Sequence, residues 1–281
     1  MTIYLIIVNY YSADLITKLA RSLPVATRQD YRVIIVNNSP EDTGVDRFQP
    51  QAIVLNADRN LGFGVGCNIG LNWVYRKDPN AIAWIINPDT QLTDNALDKV
   101  GGWFDKYPDI AIAGTAIYEN DGAIWFAGGD FEPKTGTIAV RRQFKSETDC
   151  DRCDWISGCS LLLNLSHFPT CPQFDPAYFL YYEDFDLCRR YATLGYKIAI
   201  APDIGIIHSP SRIANRNLGD KFKYSTHGYL LALHRYAHPA AFYWRLMRLL
   251  ARALTLLPLK TAIGLGKLAG VVRYGQRSIR P

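Results

Sequence analysis

One apolar run constrains the fold of this chain more than any other stretch. Residues 82–86 are all apolar, and Asn87-Pro88-Asp89 follows them directly. A short apolar run that ends in this way predicts a fully buried strand, and Pro88 prevents further pairing inside a sheet. Open α/β sheets bind their ligands at the carboxyl ends of such strands. Asp89 therefore marks the sheet edge at which we expect a functional site.

Most of the chain alternates apolar runs with helical patterns. Strands are predicted at 2–9, 32–36, 52–56, 81–86, 110–117, 155–164, 196–201 and 204–207, and helices between Ser12 and Pro24, at 68–75, at 94–107 and in the second half of 174–195. Residues 118–151 are rich in turn-forming dipeptides, which favours hairpins and loops. This order is typical of an α/β, Rossmann-like fold with a mostly parallel sheet and right-handed crossovers.

The segment from Asn60 to Gly70 matches a dinucleotide-binding fingerprint only in part. Gly64 and Gly66 are followed by a third glycine one residue late, and no strand leads directly into them. A nicotinamide site is therefore not favoured. We expect a glycine-rich turn whose backbone approaches a phosphate or a sugar, and a turn without a ligand is the alternative.

Charge is divided unevenly along the chain. Residues 1–215 contain 19 Lys and Arg against 25 Asp and Glu, a net charge of −6, and residues 216–281 contain 12 against one, a net charge of +11. The two parts sum to the net charge of +5 of the whole chain. A basic tail suggests an anionic partner, either a membrane surface or nucleic acid.

The tail contains an amphipathic helical pattern. Its apolar side comprises Leu246, Leu249, Leu250, Ala253, Leu256 and Leu257, and its basic flank comprises Arg245, Arg248 and Arg252. Basic amphipathic helices lie on anionic bilayers, and Pro258 with the nearby cations makes the apolar run too short to span one. We therefore predict a domain at 1–215 and a helical tail at 216–281 that contacts a membrane through 245–281. Packing on the body or on a homodimer partner is the alternative.

The six cysteines point to a reducing compartment. The start of the chain lacks the basic segment of a signal peptide, so free thiols are expected. Cys150-x-x-Cys153 has no matching second pair, which disfavours zinc. A cytoplasmic protein, peripheral at the inner face of the membrane, is the interpretation.

Seven segments together resemble one known family. They are Val8-Asn9-Tyr10-Tyr11, Val36-Asn37-Asn38-Ser39, Asn60-Leu61-Gly62-Phe63, Ile86-Asn87-Pro88-Asp89, Ser157-Gly158-Cys159, the run from Phe174-Asp175 to Tyr182-Glu183-Asp184-Phe185-Asp186-Leu187, and His208. In this order they are similar to glycosyltransferase family 2, which has the GT-A fold, and to its rhamnosyltransferase-like members. The resemblance covers residues 3–211.

The resemblance implies a metal site and a catalytic base. Asp89 resembles the last residue of the family's D-x-D element, with Asn87 at the first position, and His208 resembles the histidine that joins the metal. A divalent metal, Mg²⁺ or Mn²⁺, would neutralise the leaving diphosphate. The base is expected at Asp184, with Glu183 orienting or contacting the acceptor. Because the helix dipole stabilises a charged carboxylate, it would weaken this base.

The remaining predicted site residues contact donor or acceptor. Donor contacts are expected from Val8, Asn9, Tyr10, Tyr11, Asn37, Asn60, Gly62, Phe63 and Asn87, and sugar or acceptor contacts from Trp155, Ser157 and Gly158. Family members usually carry Asp where Asn37 stands, which leaves the base of the nucleotide open. For the aromatic residues, ordinary core packing is an equal alternative.

The sequence thus predicts a metal-dependent, inverting glycosyltransferase. It would move a sugar, with rhamnose favoured by the subfamily likeness, from a nucleotide-sugar donor to a glycan or lipid-linked acceptor in cell-surface polysaccharide synthesis. A nucleotidyltransferase that activates sugars, or a non-catalytic glycan or nucleic-acid binding module, stays open as an alternative. The acidic body argues against nucleic acid as a partner.

Overall fold

The computed structural model describes residues 1–24, 27–145, 150–209 and 217–278. Its strands are β1 Ile3–Asn9, β2 Tyr31–Asn37, β3 Ile53–Asn56, β4 Ile82–Ile86, β5 Thr90–Leu92, β6 Ile110–Tyr118, β7 Ile124–Phe126, β8 Gly129–Glu132, β9 Thr137–Val140, β10 Asp151–Arg152, β11 Ser160–Asn164 and β12 Lys197–His208. Its α-helices are α1 Ala13–Ser22, α2 Phe63–Lys77, α3 Ala96–Lys106, α4 Glu183–Thr193, α5 Leu218–Tyr236, α6 Pro239–Leu256 and α7 Thr261–Ser278.

A mixed sheet whose two longest ladders, β1–β2 and β6–β12, are parallel forms the centre of the fold. Its main path runs β10-β12-β6-β11-β4-β1-β2-β3, with β5 paired to β12 and β7 to β6. The pairs β4–β1, β1–β2, β2–β3 and β6–β12 are parallel, whereas β11 lies antiparallel between β4 and β6. The predicted α/β class with a mostly parallel sheet is confirmed.

Strand β4, predicted from the apolar run 82–86, lies in the middle of the core. All five residues of β4 are fully buried, including Trp84. The indole N–H of Trp84 donates a hydrogen bond to Ser160 Oγ at 2.9 Å on the adjacent strand. Full burial of each large apolar side chain contributes about 1.5–3 kcal/mol, so β4 anchors the sheet and fixes where Asn87 emerges.

The expectation of a glycine-rich turn is wrong for most of its length. Helix α2 begins at Phe63, so Gly64, Gly66 and Gly70 lie inside it. A Cβ at Gly70 would lie 2.6 Å from Ile6 Cγ2 of β1. These glycines therefore allow close packing of the helix on the sheet, which overrides their low helix propensity. Only Gly62, with φ of 86°, keeps a turn conformation.

Three predicted strands differ from the observed ones because of local backbone geometry. The strand predicted at 155–164 begins only at Ser160, since a turn closed by the Ser160 N–H and the Ser157 carbonyl precedes it. The runs 196–201 and 204–207 form the single strand β12, with a register shift between Ala201 and Gly205.

Three helices follow the gap at 210–216. The predicted boundary at 215/216 falls outside the described residues, so this domain division stays a prediction. The apolar side of α6 that was expected to contact a membrane packs inward instead, which is the alternative arrangement: Ala253 is fully buried, and Leu246 packs in a small core with Tyr274 of α7. The exposed large apolar residues of α6 are Tyr243, Trp244, Met247 and Leu254. No helix in the described ranges has the length and apolarity needed to cross a membrane.

A buried carboxylate attaches α5 to the body. Asp186 of α4 has no solvent exposure and accepts hydrogen bonds from Arg235 Nη1 at 2.7 Å, Tyr236 Oη at 2.9 Å and Arg190 Nε at 3.2 Å. Arg235 also pairs with Asp175 at 2.6 Å. The C-terminal helices are therefore tied to the segment that carries Glu183-Asp184.

Candidate functional site

Three parallel strands end in asparagine at one edge of the sheet. The register pairs Asn9 of β1 with Asn37 of β2, and Asn37 with Asn56 of β3. Asn9 Nδ2 donates to Asn37 Oδ1 at 3.0 Å, and Asn37 Nδ2 donates to Asn56 Oδ1 at 3.2 Å. Because Asn9 and Asn37 are buried, their side chains hold the strand ends together beneath the site. Their contact with a nucleotide stays a prediction.

Two tyrosines follow β1 and point toward solvent. Tyr10 and Tyr11 are 41% and 42% exposed, and their rings meet edge to face at 5.1 Å. The Tyr11 N–H donates to Ser39 Oγ at 3.2 Å, and its hydroxyl donates to Glu41 Oε2 at 3.1 Å. An exposed aromatic ring that is held by hydrogen bonds offers a flat apolar face on which a nucleobase can stack.

These tyrosines border a cleft of about 560 Å³. The predicted residues that line it are Val8, Tyr10, Tyr11, Asn60, Gly62, Phe63, Asn87 and Asp89. Its size is within the range of small-molecule and cofactor sites. The structure thus brings most of the predicted donor contacts into one concavity.

Asn38 shapes this cleft, although the sequence analysis assigned it no role. Its Nδ2 donates to Asn60 Oδ1 and to the Gly62 carbonyl, each at 3.1 Å, and its Oδ1 accepts from the Leu61 N–H at 2.9 Å. These bonds fix the turn that leads into α2. A Cβ at Gly62 would clash with the Phe179 carbonyl oxygen. The position of Asn38 directly after a strand was the signal available in the sequence.

Asp89 and His208 lie side by side. The β5–β12 ladder pairs Thr90 with His208, which places the imidazole beside Asp89. His208 Nε2 is 3.5 Å from Asp89 Oδ1, and the two side chains are 10% and 11% exposed. The His208 ring packs against Trp125 with centroids 5.0 Å apart. Within the described part of the chain, the buried Nδ1 of His208 has no hydrogen-bond partner.

The side chains of Asp89 and His208 fit a divalent metal whose remaining ligands come from outside the protein. Carboxylate and imidazole both bind first-row divalent metals, and the two groups are close enough to share one ion. Across the described residues, no group of three or more His, Cys, Asp or Glu side chains is arranged to hold a metal. The protein would therefore supply two ligands, Asp89 and His208, and the remaining positions would be filled by diphosphate oxygens and water.

The start of α4 is held in an unusual backbone conformation. Tyr181 and Tyr182 have φ values of 72° and 68°, a left-handed region that bulky residues rarely adopt. Asp184 Oδ2 accepts a hydrogen bond from the Gly158 N–H and Oδ1 accepts one from the Phe185 N–H, both at 2.8 Å. Strain of this kind is concentrated at functional sites.

The electrostatics of the two carboxyls differ from the sequence-based expectation. Burial raises the pKa of Asp184, although the N–H groups of Gly158 and Phe185 lower it in part. The predicted weakening of this base by the helix dipole is therefore wrong in direction, because desolvation outweighs it. Burial, followed by the neighbouring charge of Asp184, raises the pKa of Glu183 well above its usual range.

Glu183 lies behind the cleft, at the inner side of α2. It is buried, and a Cβ at Gly64 would lie 3.4 Å from its own Cβ. Its Oε2 has no hydrogen-bond partner within the described ranges. This placement gives Glu183 a neighbour in α2, and its predicted contact with an acceptor stays a prediction.

Backbone contacts connect Asp184 with Asp89. The Asn87 N–H donates to the Cys159 carbonyl at 3.0 Å, and Gly158, the residue before Cys159, donates to Asp184. Burial first, and then the charges of Asp89 and Asp184, raise the pKa of the Cys159 thiol well above its usual range. The two predicted carboxylates therefore flank the same pair of strand ends, β4 and β11.

The predicted acceptor residues divide into two groups. Gly158 lies close to the cleft, since a Cβ there would be 3.0 Å from Phe63 Cε1, and Ser157 Oγ accepts from the Cys159 N–H at 3.3 Å. Trp155 packs against Phe126 at 5.2 Å within an aromatic cluster. Core packing thus accounts for the position of Trp155, and sugar contact by these three residues stays a prediction.

The first turn of α5 completes the cleft, which the sequence analysis did not foresee. Asn217, Asp220, Lys221 and Tyr224 all line it. The Tyr224 ring packs on Phe179 with centroids 4.4 Å apart. The sequence predicts a helical tail apart from the site, whereas the structure places the first helix of that tail in the wall of the cleft.

Comparisons with known proteins identify the family of this chain. Residues 4–162 match the family described as glycosyl transferase family 2. A curated relative, rhamnosyltransferase WbbL of Escherichia coli K12, is 38% identical over 224 residues, which cover 73% of this chain and 83% of the relative.

Two solved structures share the fold at low sequence identity. GalNAc-T7 with UDP, GalNAc and Mn²⁺ is 13% identical with a TM-score of 0.59, over 81% of this chain and 47% of that one. The match therefore spans less than half of GalNAc-T7. The mannosyltransferase PcManGT of Pyrobaculum calidifontis, in complex with GDP-Man and Mn²⁺, is 14% identical with a TM-score of 0.53, over 98% and 87% of the two chains.

The family match covers more than half of the chain, the WbbL relative extends it beyond residue 162, and the fold is that of the GT-A enzymes. This chain is therefore a glycosyltransferase homologue with the GT-A fold and belongs to glycosyltransferase family 2.

Proposed function

We propose that this chain is an inverting, metal-dependent glycosyltransferase that uses a nucleotide-sugar donor. The observation that carries the proposal is that Asp89, which lines the cleft, lies 3.5 Å from His208, while Asp184 is held by the Gly158 N–H beside Phe63 of the same cleft. An electrophile in that cleft would lie between a cation site and a carboxylate. Neither a sugar nucleotidyltransferase nor a non-catalytic module is favoured by the family.

The donor would lie with its base near the exposed tyrosines and its diphosphate near Asp89. The backbone of Val8 and the turn at Gly62 line the path between them. A metal held by Asp89 and His208 would neutralise the charge that develops on the leaving diphosphate. Asn87, which also lines the cleft, would contribute a neutral amide to the same region.

Asp184 would accept the proton of the attacking hydroxyl. Each of its oxygens accepts one backbone hydrogen bond, and a carboxylate has about four lone-pair sites, so capacity remains. The two bonds hold the carboxylate in one orientation, and its raised pKa makes it a better base. One base without a second carboxylate as nucleophile is consistent with inversion at the anomeric carbon.

The transferred sugar is proposed from the named relative. Identity of 38% to a rhamnosyltransferase favours a deoxysugar donor such as dTDP-rhamnose. The acceptor would be a glycan or a lipid-linked glycan of a cell-surface polysaccharide. Release of nucleoside diphosphate from a panel of donors, with Mn²⁺ or Mg²⁺ present, would identify the donor, and release from none of them would refute the proposal.

Variants of the two aspartates separate chemistry from binding. Asp184→Asn should lower turnover about 10²–10⁴-fold, the usual contribution of a general base, and leave donor affinity nearly unchanged. Asp89→Ala should weaken donor binding in the presence of metal and have little effect in EDTA. Asp121→Asn, a change to an exposed turn residue, serves as the control. Undiminished turnover in Asp184→Asn would exclude it as the base.

We further propose that α6 rests on the inner face of an anionic membrane. Tyr243, Trp244, Met247 and Leu254 are 57–64% exposed, and aromatic side chains favour membrane interfaces. The net charge of +11 after residue 215 adds attraction to anionic lipids. Flotation with vesicles containing phosphatidylglycerol should recover the wild type and not Trp244→Glu/Met247→Glu, and equal recovery of the two would contradict this contact.

A further inference from the structure

A second concave site is bordered by Tyr182, the residue directly before Glu183-Asp184. It has a volume of about 510 Å³, opens to solvent, and is lined by α5, α6, α7 and the residue that precedes α4. It is lined by Tyr182, Ser225, Thr226, Tyr229, Arg245, Arg248, Leu249, Ala251, Arg252 and Lys267. We call it the basic pocket.

Four of the lining residues are cations, and no acidic residue of the described chain belongs to the lining. Arg245 is oriented by hydrogen bonds to the Thr135 carbonyl at 2.9 Å and Thr137 Oγ1 at 2.6 Å. In the described ranges, no carboxylate lies within ion-pair distance of Arg248, Arg252 or Lys267. Burial, followed by repulsion from Arg252, lowers the pKa of Lys267. A cluster of like charges is destabilised by self-repulsion unless an anion joins it.

The basic pocket is adjacent to the proposed base. Phe179 and Tyr181 line the donor cleft, whereas Tyr182, the next residue, lines the basic pocket. The Tyr182 ring is 5.6 Å from the Tyr229 ring. Burial, Tyr229 and Asp184 all raise the pKa of the Tyr182 phenol. The run from Phe179 to Tyr182 therefore borders both cavities and leads directly into Glu183-Asp184.

The rim of the basic pocket is continuous with an apolar surface. Ala251 of the lining is exposed and lies on the same helical face as Met247 and Leu254, at spacings of four and three residues. Met247 is 62% exposed and Leu254 is 57% exposed. A ligand with an anionic group and a hydrocarbon chain would match this arrangement of a cationic cavity beside an apolar stripe.

We infer that the basic pocket binds the diphosphate of a lipid-linked acceptor and thereby presents the acceptor sugar to Asp184. The inference rests on the proposed function and adds the chemical class of the acceptor. Arginine binds phosphate oxygens in pairs of parallel hydrogen bonds. Four cations in one concave site match a diphosphate ester better than the single charge of a bilayer phosphodiester. The residues before Tyr182, from Phe179 to Tyr181, already line the donor cleft.

The test uses inorganic pyrophosphate as the probe for the headgroup. Calorimetric titration in EDTA suppresses metal-assisted binding in the donor cleft. The wild type should bind pyrophosphate. The double variant Arg248→Gln/Arg252→Gln and the single variant Lys267→Gln should each bind it at least about tenfold more weakly, as expected for lost charge-assisted hydrogen bonds. Lys18→Gln/Lys260→Gln, which removes two exposed cations outside the basic pocket, should bind like the wild type.

Two further measurements distinguish the sources of the phosphate group. Vesicles of phosphatidylglycerol and phosphatidylcholine report bilayer binding. If wild type binds vesicles but not pyrophosphate, and Arg248→Gln/Arg252→Gln loses the vesicles, the basic pocket serves a membrane lipid and the inference is overturned. Hydrolysis of the donor without acceptor should be unchanged in Arg248→Gln/Arg252→Gln, and a loss of hydrolysis would also overturn it. Absence of any donor hydrolysis by the wild type would instead refute the proposed function. The two failures can be told apart, because pyrophosphate binding is measured without donor turnover.

Discussion

The buried carboxylate of Asp186 allows a quantitative prediction about how the C-terminal helices are attached. Replacing Asp186 by Asn keeps the shape of the side chain and removes its charge, which leaves Arg235 with Asp175 as its remaining acidic partner. Loss of one member of a buried pair costs about 3–5 kcal/mol. The side chains of Arg190 and Arg235 are 33% and 37% exposed, so solvent compensates in part for the lost charge. We therefore expect the free energy of unfolding to fall by about 3 kcal/mol.

The matched control is an ion pair of similar length on the surface. Asp14 lies 2.9 Å from Arg47, but its side chain is 93% exposed. Urea denaturation should show that Asp186→Asn lowers the free energy of unfolding, while Asp14→Asn changes it by no more than the experimental error. Equal losses in the two variants would refute the reasoning, because burial would then have no influence on the strength of the pair. Asp186→Asn should also lower turnover, since Asp186 lies two residues from Asp184.

Three further predictions test the site. Glu183 has a raised pKa, so between its unfolded and folded pKa values only the folded state keeps the proton. As the pH rises through this window, the free energy of unfolding should fall by up to about 1.4 kcal/mol per pH unit. Glu183→Gln should reduce that slope in urea unfolding at several pH values. An unchanged slope would show that Glu183 is ionised in the fold. Gly62→Ala should lower the melting temperature, because φ is 86° and the added methyl group would meet the Phe179 carbonyl. Gly122→Ala should lower it less, because Gly122 also has a positive φ but has open space around it. Tyr11→Ala should weaken nucleotide binding about tenfold by loss of one stacking partner without changing kcat, and a change in kcat alone would contradict that role.

Several features of the fold could be predicted from local pattern. Full apolarity of 82–86 and the following Pro88 identified the buried strand and its end. Alternation of strands with helices identified the sheet class. The chemistry of Asp89, Asp184 and His208 was expected from the resemblance, and the structure brings these residues to neighbouring strand ends.

Other features could not be predicted because they depend on contacts between distant segments. The glycines of α2 have low helix propensity, and the helix gains from the close packing that they allow, of Gly64 on Phe174, Gly66 on Val8 and Gly70 on Ile6. The pKa of Asp184 depends on how many protein atoms surround it, and the helix dipole alone gave the wrong direction. The face of α6 that is buried depends on α7, which approaches closely at Gly264.

The sequence by itself determined the α/β class, the buried strand at 82–86 with its end, and the residue types that follow it, because these follow from interactions between near neighbours in the chain. Only the tertiary structure decided that the first turn of α5 lines the donor cleft and that cations from α6 and α7 meet next to Tyr182. The buried contacts of Asp186 with Arg235 and Tyr236 tie α5 to the body. Those residues are far apart in sequence, so their approach is set by burial and charge pairing in the folded chain.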